Sequence, residues 1–403
     1  MESTWESIRL YIRNPYFSFP FQQESNVIPH EHNEEEAALH ACRNRINQYE
    51  ETVVNGKNWE YYKKIVNPCE LVYTQKKYPN FPDSVCFLKP LSRSYFKMIE
   101  MIDLIDCFAL FPGESIRTAH VCEGPGGFIE ALFDEAAKKN RIIHSSSAMT
   151  LKSKRTNIPG WKRAAYFLKK NKNVRILFGE DDTGDILKPE NQQHFIDECE
   201  KVHIYTADGG FDFSCDYTKQ EEMVFPLLLA STKIGLEVLE RGGVFVLKLF
   251  DFYYPSTMDL LYFLSHFFAE WTLYKPGMSR PCNPEHYFIG KGFTGCSEAV
   301  LDALRLWCSI IENGQPLDSL FIRSTATSIS SIEYCVFEGI LRELRHKSFQ
   351  IQTEYLERVF TIIEKNDEEL IHSYLRKNER TSYEWCVRFN VPMYPNRFRS
   401  IEE

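Results

Sequence analysis

A chain of 403 residues with 43% hydrophobic, 26% charged and 14% aromatic content holds enough apolar material for one large folded domain or two smaller ones, which excludes a disordered tail or a fibre. Against 47 Lys and Arg stand 56 Asp and Glu, a net charge of -9, so any basic surface must be local. The twelve cysteines are never closer than twelve positions, which removes CxxC motifs and a disulfide scaffold and points to a reducing compartment.

The first residues, MESTWESIRLYIRN, have neither an apolar core nor a small-residue cleavage site, so no secretory signal is expected. The longest apolar stretches, Phe225 to Ala230 and Val244 to Phe250, fall far short of the roughly 20 residues a membrane span requires. An intracellular protein outside the membrane is expected. Residues 1–85, rich in Asn, Glu, Tyr and Pro, read as an N-terminal extension with one helical stretch near Glu34 to Tyr49. Within it His30, His32, His40 and Cys42 cluster, but the intervening EEEAAL is helix-like and no metal site is predicted.

From Arg117 to Phe293 short β-branched or aromatic runs alternate with helical segments: SIRTAHVC, RIIHSS, NVRILF, VHIYTA, GGVFVLKLF, WTLYK and HYFIGKGF. Alternation of this kind implies parallel crossover units and a doubly wound α/β sheet. The last two runs leave no room for a helix between them, so an antiparallel pair is expected at one edge. Residues 86–296 therefore form the α/β domain. Beyond it, 297–403 has helical periodicity in EAVLDALRLWCSII, SIEYCVFEGILREL and TEYLERVFTIIEKNDEELIHSYLRK and reads as a C-terminal helical region.

Five places carry chemistry. The first strand runs into HVCEGPGGFIEALF, where Gly124, Pro125, Gly126 and Gly127 make a tight turn before a helix. The turn lacks the third glycine of GxGxxG, which favours an adenosine-type cofactor other than a dinucleotide. The fourth strand ends in TADGGFDFS, which puts Asp208 at the ligand crevice of an open sheet. Lys248 interrupts the apolar fifth strand; burial lowers the pKa of an ammonium and is tolerable with a carboxylate nearby, the other reading being a stem that snorkels to water. Glu285, before the last strand, and Lys97, in SRSYFKMIEMIDLI, are unremarkable singly and informative only as a set.

The set HVCEGPGGFIEAL, TADGGFDFS, FVLKLFD and KPGMSRPCNPEHYFIGKGF resembles the FtsJ-like 2′-O-ribose methyltransferases, over roughly residues 90–293, and within them the mRNA cap enzymes of eukaryotes and large DNA viruses. The resemblance implies a Rossmann-like fold, S-adenosylmethionine as cofactor, capped RNA as substrate, no metal, and a nuclear or cytoplasmic location, including an infected cell or virion for a viral chain. It also implies a Lys-Asp-Lys-Glu tetrad, here Lys97, Asp208, Lys248 and Glu285. In that role Lys248 deprotonates or steers the ribose 2′-hydroxyl, its pKa lowered by burial and by Lys97, while Asp208 and Glu285 orient the two ammonium groups. The segment from Glu123 through Gly124, Pro125, Gly126 and Gly127 to Phe128, together with Asp208, is expected beside the cofactor, with Asp182 of GEDDTGDIL at the adenine. The acidic residue many members carry near the end of the first strand is His120 here, and Glu123 is expected to compensate. SRPCNPE leans toward enzymes of the first transcribed nucleotide and HVCEGPGGF toward those of the second.

Independently of resemblance, Lys138 to Arg175 contains twelve Lys or Arg and no Asp or Glu. With Trp161, Tyr166 and Phe167 interleaved, this segment is expected to contact RNA through phosphates and stacking, Lys152, Lys154 and Arg155 among its cations. The bland alternative is a solvated helix face over core aromatics. Arg93, Ser279 and Arg280 flank the tetrad in sequence and are expected to position phosphates; a protein partner would dock on the helical termini. Three rival readings remain: a catalytically silent RNA-binding scaffold, which no lost tetrad member supports; a nicotinamide dehydrogenase, which lacks its glycine and its acid; and a ribosomal or transfer RNA target, which fold and tetrad do not separate from a cap.

Overall fold

The computed structural model describes residues 11–13, 20–28, 33–50, 57–74, 78, 81–113, 115–152, 160–210, 219–322 and 332–395. All seven runs of β-branched and aromatic residues form strands: β2 Ile116–Val121, β3 Ile143–Met149, β4 Val174–Leu177, β5 Val202–Ala207, β6 Leu239–Leu249, β7 Phe268–Tyr274 and β8 His286–Phe293. A two-residue strand, β1 Tyr11–Ile12, precedes them. The sheet order is β1-β7-β8-β6-β5-β2-β3-β4. From β4 to β6 neighbours are parallel, whereas β8 runs antiparallel to both β6 and β7. The antiparallel pair lies on the expected side, but its outer edge is capped by β1, where the Tyr11 ring stacks on Trp271 at 4.7 Å. A two-residue strand has no period to detect, so sequence patterning could not find it.

Winding sets the site. The chain passes from β2 to β3 and β4 on one side and returns through β5 and β6 on the other, so direction reverses between β2 and β5. In such sheets ligands occupy the crevice beyond the carboxyl ends at that reversal. Glu123 follows β2 and Asp208 follows β5; Lys248 is the penultimate residue of β6, and antiparallel β8 starts at the same edge, directly after Glu285.

Both faces of the sheet are covered, as parallel strands with apolar side chains on both sides require. On one face pack helices Ser94–Ile105 and Gly127–Lys138, the latter burying Phe128, Ile129, Ala131, Leu132 and Ala136 at helical spacing. The same apolar cluster takes in Trp59, Tyr61, Tyr62 and Ile65 of the N-terminal region and Trp385, Cys386 and Phe389 near the C-terminus. Helices Gln220–Val238, Pro255–Ser265 and Glu298–Glu312 cover the other face. Helix Ile332–Lys365 bridges the two clusters, with Phe337 and Leu341 in one and Val359 and Phe360 in the other. Two separate periodic stretches in the sequence thus form one helix. The third stretch is divided between this helix and Glu368–Arg388, because Asn366 adopts φ 45° and Asp367 caps the next helix through Glu369 and Leu370 amides. Among the described residues no helix is long and apolar enough to cross a membrane.

Buried ion pairing also joins the terminal regions to the sheet. Arg43 of helix Glu34–Asn44 meets Asp251, just past β6, at 2.6 Å, with both side chains under 10% exposed (4% and 6%). Its guanidinium also donates to Gln352 of the long helix at 2.7 Å. Removing one partner of a buried pair strands the other charge, so Arg43→Ala is expected to destabilise the protein by roughly 3–5 kcal/mol in urea unfolding. A loss below about 1 kcal/mol would show that the pair is not what ties helix Glu34–Asn44 to the sheet.

Candidate functional site

At the crevice the four expected residues converge, from one helix, one strand and two loops. Lys97 Nζ donates to Glu285 Oε1 at 2.6 Å, and Lys248 Nζ lies 3.5 Å from Glu285 Oε2 and 3.5 Å from Asp208 Oδ1. A fifth group closes the circuit: Tyr287 O–H donates to Asp208 Oδ1 at 2.8 Å and receives Lys97 Nζ at 3.5 Å. Two ammonium groups, two carboxylates and one phenol thus form a ring of sum charge zero. Strand register explains the geometry. Lys248 and Tyr287 are direct cross-strand partners, so their side chains share a face, and Glu285 precedes Tyr287 by two positions. Sequence reasoning missed Tyr287; its signal was a hydroxyl two residues from a candidate acid at strand spacing.

The electrostatics correct one expectation. Burial pushes the Lys248 ammonium down, but the adjacent Asp208 and Glu285 carboxylates outweigh it and hold the pKa above the ordinary lysine value of 10.5, rather than below it. Two anions face Lys248, while Lys97 is already committed to Glu285 at 2.6 Å and cannot repel it effectively. Burial likewise pushes Glu285 up, and Lys97 and Lys248 overcome that and hold it well below the carboxylate range. In the free protein the ring is therefore charged.

Toward β2 lies a second polar chain. The Thr206 hydroxyl donates to Glu123 Oε1 at 2.5 Å and contacts His120 Nδ1 at 2.8 Å, while His120 Nε2 meets the Thr118 hydroxyl at 2.8 Å. Burial lowers the His120 pKa to about 3, so this imidazole is neutral. Glu123 Oε2 is buried and without a partner, and burial, then the Asp208 charge, raise its carboxyl well above the usual range. An orphaned acceptor at a switch point fits a ligand bearing hydroxyl donors. The neighbouring turn requires its glycines: Gly126 has φ +103°, and a Cβ on Gly127 would stand 2.1 Å from Ser92 Oγ, so the turn packs directly against the start of helix Ser94–Ile105. Phe128 is fully buried, its ring centroid 5.9 Å from that of Tyr287. Asp182 is exposed and ion-paired with Lys152 at 2.6 Å, so residues expected on adenine and on RNA are joined.

At the rim, the Arg93 guanidinium donates to Met278 O, Tyr73 O and Cys69 O at 3.1, 2.8 and 3.2 Å and pairs with Glu70 at 3.4 Å, so it braces two loops. Arg280 shares Glu70 at 3.3 Å, and its side chain keeps 23% exposure. Ser279 is buried beside Glu285, whose carboxyl its hydroxyl helps to keep ionised. In the basic segment Trp161 rests over Gly126 and Phe167 packs edge-on with Phe133 at 5.5 Å, both half-buried, while Tyr166 is 80% exposed. Lys162, Arg163, Lys169, Lys170 and Lys172 are exposed around it. Lys154 and Arg155 lie outside the described residues, as do His30 and His32.

The depressed Glu285 pKa has a sign that can be tested. Stabilisation from a lowered carboxyl is complete above its unfolded value near 4.5 and fades as pH falls toward the folded value. The stability gap between wild type and Glu285→Gln, read from urea melts, is therefore expected to be widest at neutral pH and to narrow between about pH 5 and pH 3. A gap independent of pH would contradict the pairing.

The FtsJ-like methyltransferase family matches residues 90–293. Over 316 residues the chain is 28% identical to cap-specific mRNA (nucleoside-2′-O-)-methyltransferase 1 of Dictyostelium discoideum, a match covering 71% of this chain and 41% of that protein. It is 31% identical over 232 residues to the protein of the same description from Danio rerio, covering 52% of this chain and 27% of the relative. A probable methyltransferase of African swine fever virus is 31% identical over 233 residues, 52% of each chain. The match thus spans about half the length of these relatives or less. It does span every member of the polar ring, from Lys97 to Tyr287, along with half of the chain, and on that ground this chain belongs to the FtsJ-like methyltransferase family.

Proposed function

We propose that this chain is an S-adenosylmethionine-dependent RNA 2′-O-ribose methyltransferase acting on the cap-proximal nucleotide of mRNA. The observation that carries the reading is the convergence of Lys97, Asp208, Lys248 and Glu285 on one ring at the sheet's switch point. The names of the Dictyostelium and zebrafish relatives favour the mRNA cap over ribosomal or transfer RNA as the target. Intact tetrad residues argue against a silent scaffold.

The residues present fit the cofactor. Glu123, with its free Oε2, would take the ribose hydroxyls, the Gly124–Gly127 turn would meet the amino-acid end, and Asp182 would stand near the adenine. When bound, S-adenosylmethionine supplies an electrophilic methyl on a sulfonium. The chain's own task is to present a 2′-hydroxyl in line with that carbon and to manage its proton. Lys248, charged in the free protein, first meets the hydroxyl as a hydrogen-bond donor and steers it. Exclusion of water and a cationic neighbour both lower the proton affinity of an ammonium; under those conditions Lys248 releases its own proton to solvent as the crevice fills, and the neutral amine then takes the proton of the 2′-hydroxyl. Asp208 and Glu285 hold the Lys248 nitrogen from two sides, and Tyr287 keeps Asp208 in place.

RNA beyond the reacting nucleotide would run over the basic segment, where Lys152 and the cations around Tyr166 meet phosphates and the exposed ring stacks a base. Arg280 and Arg93, sharing Glu70 at the rim with partly exposed side chains, are the cations that would meet a phosphate there.

Two measurements check the reading. With labelled cofactor and capped RNA, wild type is expected to transfer methyl to a 2′-oxygen, and Lys248→Ala to lose at least ~10²-fold in kcat. Absence of transfer by wild type, or undiminished transfer by the variant, would refute it. In fluorescence anisotropy with single-stranded RNA, combining Tyr166→Ala with Lys169→Ser and Lys170→Ser is expected to weaken binding and flatten the log–log salt slope by roughly 1.4. An unchanged slope would remove this surface from the RNA path.

A further inference from the structure

Glu100 stands one helical turn beyond Lys97 in helix Ser94–Ile105, so the two side chains leave the same face. It is the charged residue of an apolar run, 1% exposed, and its carboxylate takes four hydrogen bonds. Oε2 accepts from Gly277 N at 2.7 Å and Tyr274 O–H at 2.5 Å; Oε1 accepts from Met278 N at 2.9 Å and Trp385 Nε1 at 2.9 Å. An ionised carboxylate offers about four acceptor sites, and all are filled. Burial pushes the Glu100 carboxyl up, and the four donors oppose that.

Those donors belong to two structures. Tyr274, Gly277 and Met278 begin the loop that leads from β7 to Glu285 and β8, while Trp385 lies in helix Glu368–Arg388, where its ring packs against Phe96 at 5.7 Å. The far end of the loop is gripped by the half-buried Lys275, whose ammonium donates to Asn283 O at 2.5 Å and Glu285 O at 3.1 Å. One rigid helix therefore holds the loop backbone through Glu100 and the loop's catalytic candidate through Lys97. A shift of the loop relative to that helix changes the 2.6 Å contact between Lys97 and Glu285 directly.

We propose that Glu100 is a positioning residue that sets Glu285 within the polar ring, and that through Trp385 the C-terminal helix forms part of the support of the active site. This inference rests on the methyltransferase reading for its kinetic consequence but not for its structural one. In Glu100→Gln the amide nitrogen, whichever end it occupies, faces two donors, so two buried N–H or O–H groups lose their acceptor. The loop is then released at its start. Trp385→Phe removes a single donor, keeps the ring in the core, and is expected to act in the same direction with smaller effect.

Hydrogen exchange on the full chain gives a readout that needs no methyl transfer. Amides of 276–285 are expected to exchange faster in Glu100→Gln, and to a lesser degree in Trp385→Phe, with protection in β2 and β5 unchanged. In transfer assays Glu100→Gln is expected to lose about ten- to a hundredfold in kcat, with the dissociation constant for S-adenosylmethionine within twofold of wild type by calorimetry. Because Glu285 helps to hold Lys248 protonated, its displacement is also expected to move the rising limb of the pH–rate profile to lower pH, a shift that general loss of stability would not produce. Unchanged exchange over 276–285 in both variants, or an unmoved limb with unchanged kcat, would overturn the proposal. Should Glu100→Gln fail to fold, Trp385→Phe alone decides by the same readouts. If Lys248→Ala transfers methyl as wild type does, the functional reading fails, while the exchange data still judge the Glu100 clamp.

Discussion

Glu285 sits between two ammonium groups, and the rest of the site is arranged to keep it there. A buried carboxylate without partners is untenable; flanked by Lys97 and Lys248 it becomes the central counter-charge of a neutral ring. Its presence also decides the state of Lys248. Burial favours a neutral amine, yet Asp208 and Glu285 keep that nitrogen charged until something enters the crevice. A lysine held this way is poised for a change of charge rather than fixed as a base, and the site's chemistry is inseparable from what occupies it.

Holding such a ring needs a stiff frame, because small displacements change charge–charge distances directly. The sheet supplies one side through the direct pairing of Lys248 with Tyr287. The opposite side comes from helix Ser94–Ile105, itself enclosed by N-terminal and C-terminal residues in one apolar cluster. Buried polar contacts repeat the pattern: Glu70 joins Arg93 and Arg280, Arg43 joins Asp251 and Gln352, and Glu100 joins the β7–β8 loop to Trp385. Regions that the sequence presents as appendages thus contribute side chains to the frame of the crevice.

Much of the fold was legible because it is periodic. Seven strands were visible as β-branched and aromatic runs, and their alternation with helices identified a doubly wound sheet. What escaped detection lacks period or lies across chain distance. β1 has two residues; helix Trp59–Ile65 is short and aromatic; the break at Asn366 rests on a left-handed residue within a polar stretch. At the site, Lys97, Asp208, Lys248 and Glu285 were recognisable as residue types in a known order. The loop-bracing contacts of Arg93 and the burial of Phe128 were not, because a cation or an aromatic beside a motif can have many partners, and local sequence does not name them.

The sequence by itself determined the class of fold, the crevice at the strand ends, and the identity of four polar residues whose chemistry belongs together, because strand patterning and motif order are properties of local segments. Tertiary structure alone decided which charges cancel which. The raised Lys248, the added Tyr287, the orphaned Glu123 oxygen and the four-donor Glu100 all arise from groups tens to hundreds of positions apart brought within hydrogen-bond reach. Electrostatic energy depends on distance and burial, and neither is written in the order of residues along a chain.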